Sequence, residues 1–173
     1  MKKFRILFLV LSFCTVLMAS CIKNDEVLFS GSLVEMDAAT WNANSVGVTY
    51  PILTRQPAAG RASSSTFTSD SIITRRSGII RLRVNLVGAQ KTTDTEVNYQ
   101  VDPTSTAVAG THFATLPGKV TIPANSSFGF IDIRILDPGA STGSKDLIIT
   151  LTGGANVSGN QNYTTVGLRI SQT

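Results

Sequence analysis

The sequence predicts an all-β protein, a single antiparallel β-sandwich of about seven to eight short strands. From Val27 onward, apolar residues alternate with polar ones, which is the period of a half-buried strand. The alternating stretches are separated by clusters of Gly, Pro, Asn and Ser. No stretch sustains the apolar period of a helix. Together these patterns favour two packed sheets over any helical architecture.

The clearest strand runs from Ile80 to Leu86, with Leu82 and Val84 on the same inward face. A polar turn separates it from residues 97–101, so we predict a hairpin between these two strands. A second hairpin is predicted between residues 120–122 and 131–135, around the turn at Pro123. The remaining predicted strands are residues 27–36, 46–53, 147–151 and 166–170, with residues 37–45 as a loop.

The predicted organisation is a signal peptide (1–20), a short tether (21–26) and one sandwich domain (27–173). The mature chain of about 153 residues is long enough to bury about 68–70% of its unfolded surface. Residues 55–71 are rich in Ser, Ala, Gly and Thr, and we predict a long exposed loop there.

The N-terminus has the features of an export signal. Lys2, Lys3 and Arg5 precede the apolar residues 6–18, a stretch shorter than the roughly 20 residues that span a bilayer. The small residues that follow lead directly into Cys21, and this run resembles a bacterial lipobox. Cys21 is therefore the predicted lipidation site, and several acyl chains would anchor the protein firmly. The alternative is an ordinary secretory signal in which this cysteine is incidental.

Composition excludes several classes of function. The chain has one histidine, His112, and two cysteines, of which Cys14 lies in the signal, so neither a metal cluster nor a disulfide framework is expected. Removal of the signal lowers the formal net charge from +4 to about +1, which gives no sign of nucleic-acid binding. Ser141 lies in a Gly-x-Ser-x-Gly run, but no helix follows it as in hydrolases. We expect no catalytic residue, no cofactor and no metal.

Four consecutive stretches, Glu96 to Val101, Thr106 to Phe113, Gly118 to Pro123 and Ile131 to Asp137, follow a familiar order. This order resembles the Calx-beta sandwich, and more closely the Calx-beta-like surface lipoproteins encoded beside starch-utilisation-type glycan uptake pairs. The resemblance covers about residues 81–170. It implies an Ig-like, Calx-beta-like fold.

The resemblance does not extend to calcium ligands. His112 stands where the family pattern has an aspartate, and Pro138 follows Asp137 where a second aspartate is common. Calcium takes six to eight oxygen ligands, mostly from carboxylates and carbonyls. We therefore interpret Asp137 and His112 as turn residues.

Three aromatic residues are candidates for a binding surface. Phe128 and Phe130 share the parity of the polar residue Asp132, so in a regular strand they point away from the core. The alternative is a bulge at Gly129 that turns one ring inward. Trp41, the only tryptophan, is either an exposed anchor or a ring packed at the rim of the sandwich.

The same resemblance suggests a location and a role. The acidic tract at residues 23–26 looks like an export tag for the outer face of the outer membrane, and Asp70-Ser71-Ile72 looks like an O-glycosylation site at Ser71. The expected function is a non-enzymatic accessory binding or assembly module near a glycan uptake complex, with a carbohydrate or protein partner. One alternative is a structural or adhesive protein-interaction module without a sugar site. A more remote one is a glycoside hydrolase, whose paired carboxylates would meet only in space.

Overall fold

The computed structural model describes residues 29–173. Nine strands form two packed sheets, which confirms the predicted β-sandwich, and the described chain adds one short helix. No helix within this range is long and apolar enough to cross a membrane. In chain order the elements are β1 (Leu33–Met36), α1 (Asp37–Trp41), β2 (Ile52–Leu53), β3 (Ile79–Val87), β4 (Thr95–Val101), β5 (Lys119–Ile122), β6 (Phe128–Arg134), β7 (Ser144–Gly153), β8 (Ser158–Gly159) and β9 (Thr165–Ser171).

The two sheets are mixed, so the expectation of a purely antiparallel sandwich is wrong. Sheet 1 has the order β6-β3-β1-β8 and sheet 2 the order β2-β9-β7-β4-β5. The pairs β1–β8 and β2–β9 are parallel, and β2 and β8 have only two residues each. Alternation shows which face of a strand is buried, but the direction of its neighbour leaves no mark on that pattern.

Both predicted hairpins are also wrong. β3 lies in sheet 1 and β4 in sheet 2, and β5 and β6 are divided between the sheets in the same way. The true antiparallel partners are distant in sequence, with β3 on β6 and β4 on β7. Because both sheets bury one face in a shared core, a strand shows the same alternation in either sheet. The turns at residues 88–94 and 123–127 therefore connect the sheets.

The inward faces meet in one core that follows the predicted alternation. In β3 the inward residues Ile80 and Val84 are at most 1% exposed, and Ile133 of β6 is fully buried against them. Leu147, Ile149, Val166 and Leu168 of sheet 2 are likewise fully buried.

Gly129 occupies an inward position of β6 because β5 passes close by. A Cβ atom there would lie 2.4 Å from the carbonyl oxygen of Thr121, a contact too short for any side chain. The register of β6 on β3 runs without interruption through the pair Val84 and Gly129. This glycine therefore permits a close approach between the sheets and does not form a bulge.

The first third of the domain departs most from the sequence prediction. The sequence predicts a loop over residues 37–45, but this segment begins with α1, a single turn that is too short to show a periodic pattern. The strand predicted at residues 46–53 is reduced to β2, and Val46 is fully exposed in a turn. Within the described residues, the first predicted strand begins only at Leu33.

Candidate functional site

A groove of about 470 Å³ lies on the outer face of sheet 1. Residues 56–64 form its roof, and Arg81 and Arg83 of β3 with Phe128 and Phe130 of β6 form its floor. The volume falls within the range of roughly 300–1,000 Å³ typical of small-molecule sites. This groove brings two of the sequence-predicted aromatic residues together with arginines of the neighbouring strand.

The two phenylalanines point outward because β6 is regular. Phe128 pairs with Asn85 and Phe130 with Arg83 across the antiparallel ladder. The two side chains are 37% and 42% exposed. Their ring centroids lie 5.5 Å apart in an edge-to-face arrangement, which favours the pair by about 0.5–1.5 kcal/mol. The rings thus form one apolar surface at the floor of the groove.

A guanidinium group from β3 also lies over each ring. The Cζ atom of Arg83 lies 4.2 Å from the ring centroid of Phe128, and that of Arg81 lies 4.9 Å from the ring of Phe130. Both contacts join diagonal neighbours across the strand pair, a distance that long side chains reach. Cation–π attraction holds the planar groups over the rings. The floor therefore combines apolar rings with oriented hydrogen-bond donors.

The arginines of the floor differ in how their charge is compensated. Arg81 donates from Nε and Nη2 to the carboxylate oxygens of Asp132, at 2.6 and 2.8 Å. This pair raises the pKa of Arg81 and lowers the pKa of Asp132, chiefly through the hydrogen bonds between them. Arg83 instead donates to the side-chain oxygen of Asn85 at 2.8 Å and to the carbonyl of Ala62 at 2.7 Å. No carboxylate of residues 29–173 forms an ion pair with Arg83.

Asp37 fastens the roof to the sheet. Its side chain is buried and accepts hydrogen bonds from the backbone N–H of Ser64 at 2.7 Å and from the Asn85 amide at 2.8 Å. Burial raises the pKa of this carboxyl, but the hydrogen bonds from Asn85 and Ser64 outweigh burial and leave the pKa below its ordinary value. Asp37 is therefore ionised at neutral pH and joins α1, β3 and the roof.

Asn42 and Asp70 hold the rest of residues 55–71. The Asn42 side chain accepts from the N–H of Thr66 at 3.0 Å and donates to the Ser64 carbonyl at 3.0 Å. Arg61 binds both carboxylate oxygens of Asp70, at 2.7 and 2.8 Å. This interaction, with a further bond from a backbone N–H, lowers the pKa of Asp70 to about 2. The segment is thus an ordered structure held by side-chain anchors.

The remaining predicted site residues lie elsewhere. Trp41 is 61% exposed at the end of α1 and donates from its indole nitrogen to Asp37 at 3.3 Å. It does not line the groove. Ser71 is exposed beside a smaller cavity of about 240 Å³, formed by residues 56–59 and 69–71. Cys21 lies outside the described residues.

The two residues singled out for calcium make other contacts. Nδ1 of His112 accepts a hydrogen bond from the backbone N–H of Val108 at 3.0 Å, within a turn. Asp137 forms ion pairs with Arg75 and Arg76. Among residues 29–173, no group of three His, Cys, Asp or Glu side chains could hold a metal ion.

The sequence prediction missed Asp37, Arg81, Arg83 and the roof. Arg81 and Arg83 were recognisable as outward positions of an alternating strand, a pattern that solvated residues share. Their contact with Phe128 and Phe130 depends on the β3–β6 pairing, which the sequence prediction replaced with a β3–β4 hairpin. No local signal marked Asp37 as buried, because its partners are distant in the chain.

Comparison with known proteins gives a distant structural likeness. No family model and no curated protein matches this chain. Among solved structures, the Calx CBD12 segment from CALX1.2 is 21% identical over 57% of this chain, with a TM-score of 0.49. The apo-form Calx CBD1 domain is 22% identical over 57% of this chain, with a TM-score of 0.46, and the Calx CBD2 domain is 16% identical over 58%, with a TM-score of 0.48.

The fraction of each matched structure that this chain covers differs. This chain covers 40% of the CBD12 structure, 88% of the CBD1 domain and 80% of the CBD2 domain. The likeness concerns the sandwich alone.

Proposed function

We propose that this chain is a non-catalytic binding module that takes a glycan in the groove and serves as an accessory or assembly component near a glycan uptake complex. The observation that carries this proposal is the pair of exposed rings, Phe128 and Phe130, on the floor of a concave site. A sugar ring has an apolar face of C–H groups and a rim of hydroxyls. The parts of the phenyl rings that the guanidinium groups leave exposed match the C–H face of the sugar. The free N–H groups of the arginines match its hydroxyls.

The shape and lining of the groove support binding without cleavage. The volume of the groove, about 470 Å³, lies within the range of roughly 300–1,000 Å³ typical of small-molecule sites. The residues that line it, all within the described range, include no Asp or Glu. Hydrolysis of a glycosidic bond ordinarily uses two carboxyl groups that flank the bond. Recognition is therefore the chemistry that this lining favours.

The double variant Phe128→Ala/Phe130→Ala tests the proposal. The full chain, purified in detergent, is applied to a glycan array beside the wild type and a Tyr163→Ala control, which removes a ring of similar exposure (39%) outside the groove. We expect the double variant to lose affinity by about tenfold or more, since two central contacts of hot-spot type are removed. Its thermal midpoint should fall modestly, because the ring–ring and cation–π contacts are lost, but the domain should stay folded because both rings are partly exposed and lie outside the core.

Two results would contradict this function. Unchanged glycan binding by the double variant would show that the groove is not the site. If the wild type bound no glycan but captured cell-surface proteins, the alternative of a structural or adhesive module would be supported instead.

We also propose that lipid on Cys21 anchors the mature protein in the outer membrane, facing the cell exterior. The support is the charged start, the apolar stretch and the small pair ahead of Cys21. The Cys21→Ala variant should no longer partition into the detergent phase after phase separation, whereas Cys14→Ala, in the signal itself, should partition like the wild type. Protease treatment of whole cells checks the exposed location. Correct cleavage before residue 21 with continued detergent partitioning of Cys21→Ala would refute the lipid anchor.

A further inference from the structure

The charges that line the groove are all of one sign. Arg61, Arg81 and Arg83 contribute guanidinium groups, and no carboxylate of the described residues lines the groove. Asp70 and Asp132 compensate Arg61 and Arg81 from outside the lining. Arg83 has no such ion pair within residues 29–173. Asp37 accepts a hydrogen bond from the amide of the same Asn85, and its charge interacts with that of Arg83 without direct contact. The floor of the groove therefore presents a positive charge that has no direct carboxylate partner.

Arg83 is also held in a position to bind. Its Nε atom and one N–H of Nη1 are used by Asn85 and Ala62, and the ring of Phe128 lies against the guanidinium. A guanidinium has five N–H donors. The other three, including both on Nη2, have no partner among the described residues. The side chain is thus oriented by the protein, with donors left for a ligand.

We infer that the ligand of the groove is an acidic glycan whose sugar rings carry carboxylates, and that Arg83 binds one of these carboxylates. This inference rests on the proposed function. Parallel N–H groups of a guanidinium match the two oxygens of a carboxylate, and the charge strengthens both hydrogen bonds. Phe128 and Phe130 lie close enough to contact the carbon atoms of the same chain of sugars. A carboxylate on a sugar ring satisfies the charge and the apolar surface together.

The test compares two polymers with the same backbone. Polygalacturonate carries the carboxylates, and its fully methyl-esterified form carries none. We expect the full chain in detergent to bind polygalacturonate at least about tenfold more tightly, since a hydrogen bond to a charged group contributes strongly. Raising the salt from about 0.05 M to about 0.5 M should weaken this binding, because the floor arginines are partly exposed to screening ions.

Matched substitutions locate the charge. Arg83→Gln should weaken polygalacturonate binding about tenfold, while Arg169→Gln makes the same change of net charge on the outer face of sheet 2 and should leave binding unchanged. Because Arg83 also bonds to Ala62, a second variant leaves its contacts in place. Ala59→Glu adds a carboxylate at an exposed position of the roof and should repel the charged polymer but not the ester, whereas Ala140→Glu, exposed outside the groove, should do neither.

The outcomes separate this inference from the proposed function. Equal binding of both polymers, lost in Phe128→Ala/Phe130→Ala but not in Arg83→Gln, would overturn the acidic ligand and keep the glycan site. Tighter binding of dextran sulfate than of polygalacturonate would overturn the inference that Arg83 recognises a carboxylate. If no polymer binds in a way that depends on Phe128 and Phe130, the proposed function fails as well.

Discussion

The outer faces of the two sheets differ in how their charges and rings are arranged. On sheet 2, Lys119 pairs with Glu96 at 2.8 Å and Arg169 with Asp146 at 2.7 Å, each across neighbouring strands. No large apolar side chain of the described sheet 2 strands is exposed. On sheet 1, two phenyl rings are exposed, and Arg83, which lies over the ring of Phe128, forms no direct ion pair with a carboxylate of the described residues. One face is thus solvated and neutralised, and the other is suited to a ligand.

The segments beside the two sheets differ in the same way. Residues 102–107 run beside β7, where the backbone N–H of Asp102 donates to the Ile148 carbonyl at 2.8 Å and that of Thr106 to the Asp146 carbonyl at 2.9 Å. Such main-chain bonds hold a segment directly against its strand. Residues 55–71 are instead anchored to the rest of the domain largely through the side chains of Asp37 and Asn42. Anchoring through side chains leaves the space that becomes the groove.

Among the predicted changes, loss of the Asp37 side chain, which anchors the roof, should have the largest effect on stability and on glycan binding. Asp37→Ala leaves the Ser64 N–H and the Asn85 amide without their acceptor, and each buried unsatisfied donor costs about 1–3 kcal/mol. We expect the free energy of unfolding to fall by about 2–4 kcal/mol in urea titration, with loss of glycan binding. Asp146→Ala, the control on sheet 2, should cost only about 0–1 kcal/mol. Equal losses in the two variants would contradict the anchoring role.

Acid should destabilise the roof. The pKa of Asp70 sets the pH range over which this stability is lost. Its folded-state pKa of about 2 lies below the ordinary value of 3.8, and the pKa of Asp37 is lowered as well. A carboxyl with a lowered folded-state pKa stabilises the fold at pH values above its ordinary pKa, and this stabilisation is lost as the pH falls through the folded-state value.

The free energy of unfolding of the wild type should therefore fall between about pH 4 and pH 2. Asp70→Asn should be less stable at neutral pH and should lose less on acidification, as followed by thermal unfolding at each pH. Asp102→Asn is a control, since this partly exposed carboxyl at the end of β4 also has a lowered pKa but makes no contact with Arg61. Parallel pH profiles for Asp70→Asn and the wild type would contradict the prediction.

The two exposed ion pairs give the smallest expected change. Arg81→Ala and Arg169→Ala each break a two-bond contact with an aspartate on an outer face. Each should lower the free energy of unfolding by only about 0–1 kcal/mol, and less in high salt, as measured by thermal unfolding. Only Arg81→Ala should change glycan binding, because only Arg81 lines the groove. A change of binding in Arg169→Ala would show that the two faces do not differ as described.

The alternation of apolar and polar residues determined which side of each strand is buried. A strand places successive side chains on opposite faces whatever its partner, so the apolar residues between Ile80 and Leu86 and between Ile131 and Ile135 point inward in any pairing. The outward direction of Phe128 and Phe130 follows from the same period. Their position in one strand was therefore predictable, and only a bulge at Gly129 competed with it.

Only the tertiary structure decided what lies beside those rings. The pairing of β3 with β6 brings Arg81 and Arg83 to the phenylalanines across 45 or more residues of chain, and Asp37 meets Ser64 across 27. Such contacts form when the free energy of the whole packed core exceeds the entropy of closing long loops, a balance that no local pattern records. The sequence by itself thus determined the faces of the strands, and packing between distant segments made one of those faces a groove.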